Sequence, residues 1–183
     1  MKKDDVIKGV LPQFFPKHWL DEPGIVFTDF PSRIRIGYVH RVDGGYSYLM
    51  EHEFPELEVS AAELHDIALT NLARLPSASI TIGKVPEGPE GWISAKDDNF
   101  AAVRILLPRV QQAFREALGE EFHLVLPHRD WCFCWSRSQS TERQSKHAEE
   151  ALEDFLQDDY NLTPDIFLCS HDGISLHREQ VVA

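Results

Sequence analysis

Two apolar runs, 122–127 and 131–136, are separated only by His128, Arg129 and Asp130. A connection that short admits an antiparallel pair and excludes a crossover, because parallel strands need a dozen or more residues between them. It also holds three adjacent ionisable side chains at one fixed place on a sheet edge. Binding and catalytic residues concentrate on loops carried by a rigid scaffold, so Pro127-His128-Arg129-Asp130 is a candidate site.

The rest of the chain reads as strands and helices in alternation. Val6, Val10 and Phe14 recur at helical spacing and predict a helix over 5–15, ended by Pro16. A short strand follows over 25–30, then a hairpin over 33–54. Bringing Ile34, Ile36, Tyr38, His40 and Val42 onto one face with Tyr46, Tyr48, Met50, His52 and Phe54 requires an odd-length loop. A three-residue loop of Asp43, Gly44 and Gly45 is expected, pairing Val42 with Tyr46, His40 with Tyr48, and Arg35 with Glu53 across the outer face.

Ser60-Ala61-Ala62-Glu63 is a capping box opening a helix that carries Leu64, Ile67, Ala68, Leu72 and Leu75 and stops before Pro76. Strands are expected over 79–85 and 91–96, around the Pro86 to Gly91 tract, which reads as a hairpin tip or a boundary between halves. Asp97, Asp98 and Asn99 offer N-cap oxygens to a second helix with Phe100, Val103, Leu107, Val110 and Phe114 inward. Pro108 predicts a break near Leu107, since it lacks an amide and its ring clashes with the preceding turn. A third helix over 141–159 turns Ala148, Ala151, Leu152 and Phe155 inward, and its other face holds Glu149, Glu150, Glu153, Asp154, Asp158 and Asp159. A last hairpin crosses His171-Asp172-Gly173, and the tail from Arg178 is expected to be loosely ordered.

The fold class is therefore α+β, a mostly antiparallel sheet of hairpins alternating with three main helices, packed on one sheet face. With 183 residues the chain forms one domain or two packed halves, 1–85 and 91–183.

A formal charge of -12 argues against nucleic acid and anionic membrane as partners, both of which need clustered Lys and Arg. A protein partner with a basic surface suits the acidic face of the third helix, Glu149, Glu150, Glu153 and Asp154. Three cysteines are an odd number and too few for a disulfide framework, which points to a reducing cytoplasm. No apolar stretch reaches the ~20 residues that a membrane-spanning helix needs. No feature of the sequence sets an oligomeric state.

The order Asp98-Asn99-Phe100, Leu106-Leu107-Pro108, Pro127-His128-Arg129-Asp130 before an apolar strand, Leu162-Thr163-Pro164 and Asp172-Gly173 resembles the YtpQ-like family of uncharacterised bacterial proteins. The resemblance covers mainly residues 98–176 and brings no activity with it. The Trp131-Cys132-Phe133-Cys134-Trp135 strand departs from the plain aliphatic or aromatic strand common in that family.

Specific chemistry is harder to assign. His128-Arg129-Asp130 matches the kinase catalytic-loop triplet, but Trp135 stands where that pattern needs Asn, and no glycine-rich phosphate loop is present. Cys132 and Cys134 share a strand face, as do Cys169 and His171, and zinc ligation by these four would require neighbouring strands. Buried thiols in a core are the plainer expectation. The same applies to a nucleophilic Cys134 or Cys169 activated by His128 or His171. No cofactor motif is present, so none is expected. The leading expectation is a non-catalytic protein-binding module, toxin-neutralising or adaptor in type. The alternative is a small-molecule-binding or hydrolytic site of Asn99, His128, Arg129 and Asp130, in which Arg129 presents a planar fork to an anion and Asp130 orients it.

Overall fold

A computed structural model of the chain describes residues 3–20, 24–42, 45–76, 78–95, 99–157 and 159–182, with the side chains of residues 3–5 and 20 excepted. The expected hairpin-loop residues Asp43 and Gly44, the cap residues Asp97 and Asp98, and Asp158 lie outside the described residues. The fold is α+β, and every named strand pairing is antiparallel. The chain divides into two compact units, Met1–Phe30 with Ile34–Pro76, and Pro31–Arg33 with Ser77–Ala183.

The first unit begins with α1 (Lys3–Gly9), which gives way directly to β1 (Val10–Pro16). This corrects the single helix expected over 5–15. Gly9 ends the helix, Pro12 would break it, and all seven residues of β1 are buried, so both faces are used rather than one helical stripe. After β2 (Phe27–Asp29), the central strand β3 (Ile34–Val42) pairs with β1 on one side and with β2 and β4 (Gly45–Tyr48) on the other. β1 therefore lies at an edge, where its two prolines cost no ladder bond.

The β3–β4 register differs from the expected one by a residue. Val42 pairs with Gly45 and Arg41 with Tyr46, leaving two intervening residues instead of three. Asp-Gly is a strong two-residue hairpin signal, and here it outweighs the alignment of apolar faces. β4 then stops at Tyr48, and His52 is exposed in a turn. Arg35 pairs with Asp29 at 3.4 Å and covers the Phe27 ring, and Glu53 caps the Met50 amide at 3.0 Å. The capping box forms as expected at the start of α2 (Ala61–Arg74). Val6, Val10, Tyr38, Leu49, Leu57, Leu64 and Ala68 make this unit's core, and Asn71 Nδ2 of α2 ties down the carbonyls of Ile7 and Val10.

The second unit holds a six-stranded sheet. The hairpin β5 (Ser79–Val85) and β6 (Gly88–Ser94) leads to a 3-10 turn, Ala102–Leu106, and to α3 (Pro108–Leu118). The Pro86 to Gly91 tract is thus a hairpin tip inside this unit. The break expected near Leu107 is present: Leu107 is extended at ψ 125 and Pro108 takes the first helical position, where its missing amide costs nothing. Next come β7 (Phe122–His128), β8 (Trp131–Ser136), α4 (Thr141–Gln157), β9 (Asn161–Ser170) and β10 (Gly173–Arg178). The sheet order is β10-β9-β7-β8-β6-β5.

Helices cover both faces of this sheet, which corrects the one-faced packing expected from the sequence. Phe114 of α3 packs on Phe122, on the side of β7 and β8 that carries Leu124, Cys132 and Cys134. Ala148 and Ala151 of α4 pack on Val125, Trp135 and Ile166, on the other side. Strand alternation forces this split, because β7 and β8 are apolar at odd and even positions alike.

Candidate functional site

β7 and β8 meet at a two-residue turn of Arg129 and Asp130, with His128 paired to Trp131. The turn closes on itself. His128 is buried and its Nδ1 accepts the Asp130 amide at 3.0 Å, while Asp130 lies 3.7 Å from both that nitrogen and Arg129 Nε. The Arg129 guanidinium rests 3.6 Å from the Tyr160 ring centroid. The Arg129 carbonyl accepts the Ala102 amide at 3.1 Å. These contacts fix the turn and use its charged groups internally, so its fork does not stand open to solvent. Asn99 is not the helix cap. The 3-10 turn is preceded by Ala101, and Asn99 adopts a left-handed φ of 56, a conformation its short polar side chain tolerates.

The zinc grouping is not assembled. β7 lies between β8 and β9, and His171 sits in an exposed turn with its Nε2 2.7 Å from Glu120. Cys132, Cys134 and Cys169 are fully buried and form no disulfide with one another. Burial pushes the Cys134 and Cys169 thiols up, so both remain protonated at neutral pH and neither is an activated nucleophile.

The acidic helix is the most open of the candidates. With 3.6 residues per turn, Glu142, Glu149, Glu153 and Leu156 fall along one stripe of α4. All four are exposed, Leu156 at 61%. Glu149 and Glu153 make no ion pair among the described residues. Glu150 is different: it lies 3.7 Å from Lys146 and 3.6 Å from His147 Nδ1. Asp154 is half-buried. Beside the stripe runs an open groove of about 590 Å³ lined by Glu87, Ser140, Glu142, Arg143, Ser145, Lys146 and Glu149.

That groove is held in shape by a buried polar network under α4. Arg143 donates to Glu90 at 3.0 Å, and the buried His147 approaches Gln139 Oε1 at 2.9 Å and Glu90 at 3.4 Å. Gln139 in turn donates to the carbonyls of Gly88 and Pro89 at the tip of the β5–β6 hairpin. The helix and the hairpin tip are thereby locked side by side.

No family model matches this chain, and no solved structure does. A curated relative, a UPF0354 protein of Halalkalibacterium halodurans, is similar: it is 26% identical over an alignment 137 residues long that covers 70% of this chain and 51% of the relative. The chain thus spans about half the length of the relative it matches. The relative's name states no activity, and no role passes from it to a residue here.

Several polar residues important to the second unit escaped sequence reasoning. Asp165 is completely buried, receiving a hydrogen bond from Ser32 Oγ and another from the Gln180 amide at 2.8 Å. Gln180 also donates to the carbonyls of Ala148 and Pro164 and accepts from Arg33 at 2.9 Å. This corrects the loosely ordered tail, which is fastened at Gln180. Among the described residues no helix is long and apolar enough to cross a membrane.

Burial holds four histidines below their ordinary 6.5: His40, His65, His123 and His147. For His123 the value falls to about 4, through burial first and then through its neighbours His177, Arg137 and Arg178. Their folded forms therefore bind protons less readily than the unfolded chain does. Stability is fully present above about pH 6.5 and is lost as pH falls, for His123 until about pH 4. Urea midpoints are expected to drop from pH 7 to pH 5; equal midpoints would show that these rings are solvated.

Proposed function

We propose that the chain is a protein-binding module whose docking surface is the outward stripe of α4 and its groove. One observation carries this reading: Glu149 stands exposed at an open groove that Glu87 and Glu142 also line, with Arg143 and Lys146 between the acids, and Glu153 continues the same exposed stripe. Solvated acids with no internal partner add little to stability, and they complement a partner with a basic surface. Leu156 supplies an apolar contact at the end of the same stripe. A toxin-neutralising or adaptor role is the finer proposal. The buried, unpaired thiols favour a reducing cytoplasm as its setting. The order of short motifs over 98–176 supports placing the chain as a divergent YtpQ-like protein.

The test compares two double variants of equal charge change. Glu149→Lys with Glu153→Lys is expected to abolish capture of the partners that wild type recovers, while shifting stability by no more than about 0.5 kcal/mol. Glu51→Lys with Glu56→Lys, both exposed in the first unit, serves as the control and is expected to retain them. Equal retention or equal loss in the two variants would show that local docking on α4 is not what binds.

A further inference from the structure

A second recess lies on the α4 face of the six-stranded sheet, and its chemistry is opposite to that of the acidic stripe. It has a volume of about 90 Å³ and is lined by His123, Trp135, Thr141, Gln144, Ser145, Ile166, His177 and Arg178. His123 and Trp135 form its buried base, at 4% and 0% exposure, and His177 and Arg178 its exposed rim. Neither ring nitrogen of His123 has a hydrogen-bond partner, and neither does the indole nitrogen of Trp135. Three buried polar atoms left unsatisfied on two side chains that line one recess are costly, since each forfeits roughly 1–3 kcal/mol of solvation without compensation. Buried polar groups are almost always paired, so such a cluster calls for an occupant.

The surroundings identify its chemistry. Arg178 is a permanent cation with a planar donor fork. Thr141 and Ser145 bring hydroxyls from the first turns of α4, whose start is marked by Ser140 Oγ accepting the Arg143 amide at 3.2 Å. That end of a 17-residue helix carries the positive pole of the macrodipole. No carboxylate lines the recess, in a chain of formal charge -12. We propose that the recess between β7, β8, β10 and the start of α4 binds a small tetrahedral oxyanion of the phosphate class.

Its size suits a single such ion. At about 30 Å³ per water in the liquid, the space is roughly that of three waters, so an attached organic group would have to leave through the mouth past His177 and Arg178. The state of His123 sharpens the selectivity. Held to about 4 by burial and by His177, Arg137 and Arg178, the ring is neutral at pH 7 and offers one N–H donor and one lone pair. One ion reaches only one of these divergent nitrogens, and hydrogenphosphate suits either: its P–OH donates to the lone pair, or its other oxygens accept from the N–H. Sulfate has no proton to give at that pH and satisfies only the donor.

The experiment is a titration of the full chain with inorganic phosphate at pH 7, followed by the indole N–H resonances of its four tryptophans and by the His123 ring. A saturable shift of the Trp135 resonance in the millimolar range is expected, with sulfate weaker by about tenfold or more. Phosphoserine is a second arm: binding equal to phosphate would mean that the natural ligand is a phosphoryl group on a larger molecule, and weaker binding that it is the free ion. Arg178→Gln, at an exposed position that leaves the fold intact, is expected to weaken phosphate by about tenfold, and His123→Phe to abolish the Trp135 shift. No saturable shift in wild type, or an unchanged affinity in Arg178→Gln, would overturn the proposal.

Discussion

Asp165→Ala is expected to lower the stability of the second unit by about 3 kcal/mol, the largest single effect foreseen here. The carboxylate is fully buried and receives the Ser32 hydroxyl and the Gln180 amide, with Arg33 Nε at 3.6 Å. Alanine leaves these donors facing a void. Asp165→Asn is a milder change, costing about 1 kcal/mol, because its carbonyl can accept the Gln180 amide while its amide donates to the Ser32 oxygen. Urea denaturation at pH 7 measures both, with an unchanged slope expected for each. Gln180→Ala removes the donors to Ala148 and Pro164, and combined with Asp165→Ala it should cost less than the sum, since one network carries both. Equal stability of Asp165→Ala and wild type would show that the tail is not fastened there.

Gly91→Ala is expected to destabilise by up to about 3 kcal/mol, even though Gly91 lies in a strand where alanine is ordinarily tolerated. A Cβ on Gly91 would meet Ile82 Cδ1 and the Thr81 carbonyl oxygen, each at 2.7 Å, and Phe114 Cε1 at 3.1 Å. Ile82 is partly exposed and its end can swing away. The Thr81 carbonyl cannot, because it belongs to the backbone of the neighbouring strand, so β5 must separate from β6 or twist. Phe114 is fully buried against Phe122 and adds to the resistance. Phe114→Leu on the Gly91→Ala background should recover part of the loss, a coupling that a double-mutant cycle reads directly. An alanine variant as stable as wild type would mean that the β5–β6 hairpin gives way freely at this point.

What could be read from the amino acids alone was local chemistry with few alternatives. The tight corner at His128, Arg129 and Asp130 follows from the short gap between two apolar runs, though His128 itself belongs to the strand, and the capping box of Ser60 and Glu63 and the break at Leu107 each follow from a residue type that permits little else. The β3–β4 register was a contest between two local rules, apolar alignment and the Asp-Gly turn, and the sequence holds no scale on which to weigh them. The N-terminal segment failed for a related reason, since Val6, Val10 and Phe14 fit a helix as well as a helix followed by a strand buried on both faces.

The candidate sites were legible to different degrees. The α4 acids are visible because a charged helical face is periodic, whereas Glu150 differs from Glu149 through Lys146 and the buried His147 beside it. The setting of Asp165 depends on residues 133 positions earlier and 15 later in the chain, and no local pattern announces such a meeting. His128 is conspicuous in the sequence for its charged neighbours, whereas His123, within an apolar strand, carries no local signal, and its nitrogens are buried without partners. Both rings are buried, and what distinguishes them is the Asp130 amide that His128 Nδ1 accepts, a contact set by the turn.

The docking role of α4 is tested most directly by hydrogen–deuterium exchange of the full chain, alone and with the partner that wild type captures. Slowed exchange across 141–157 and at the 86–88 hairpin tip is the expected result. Slowing at the 127–130 turn with none in α4 would contradict it and move the binding surface to His128, Arg129 and Asp130.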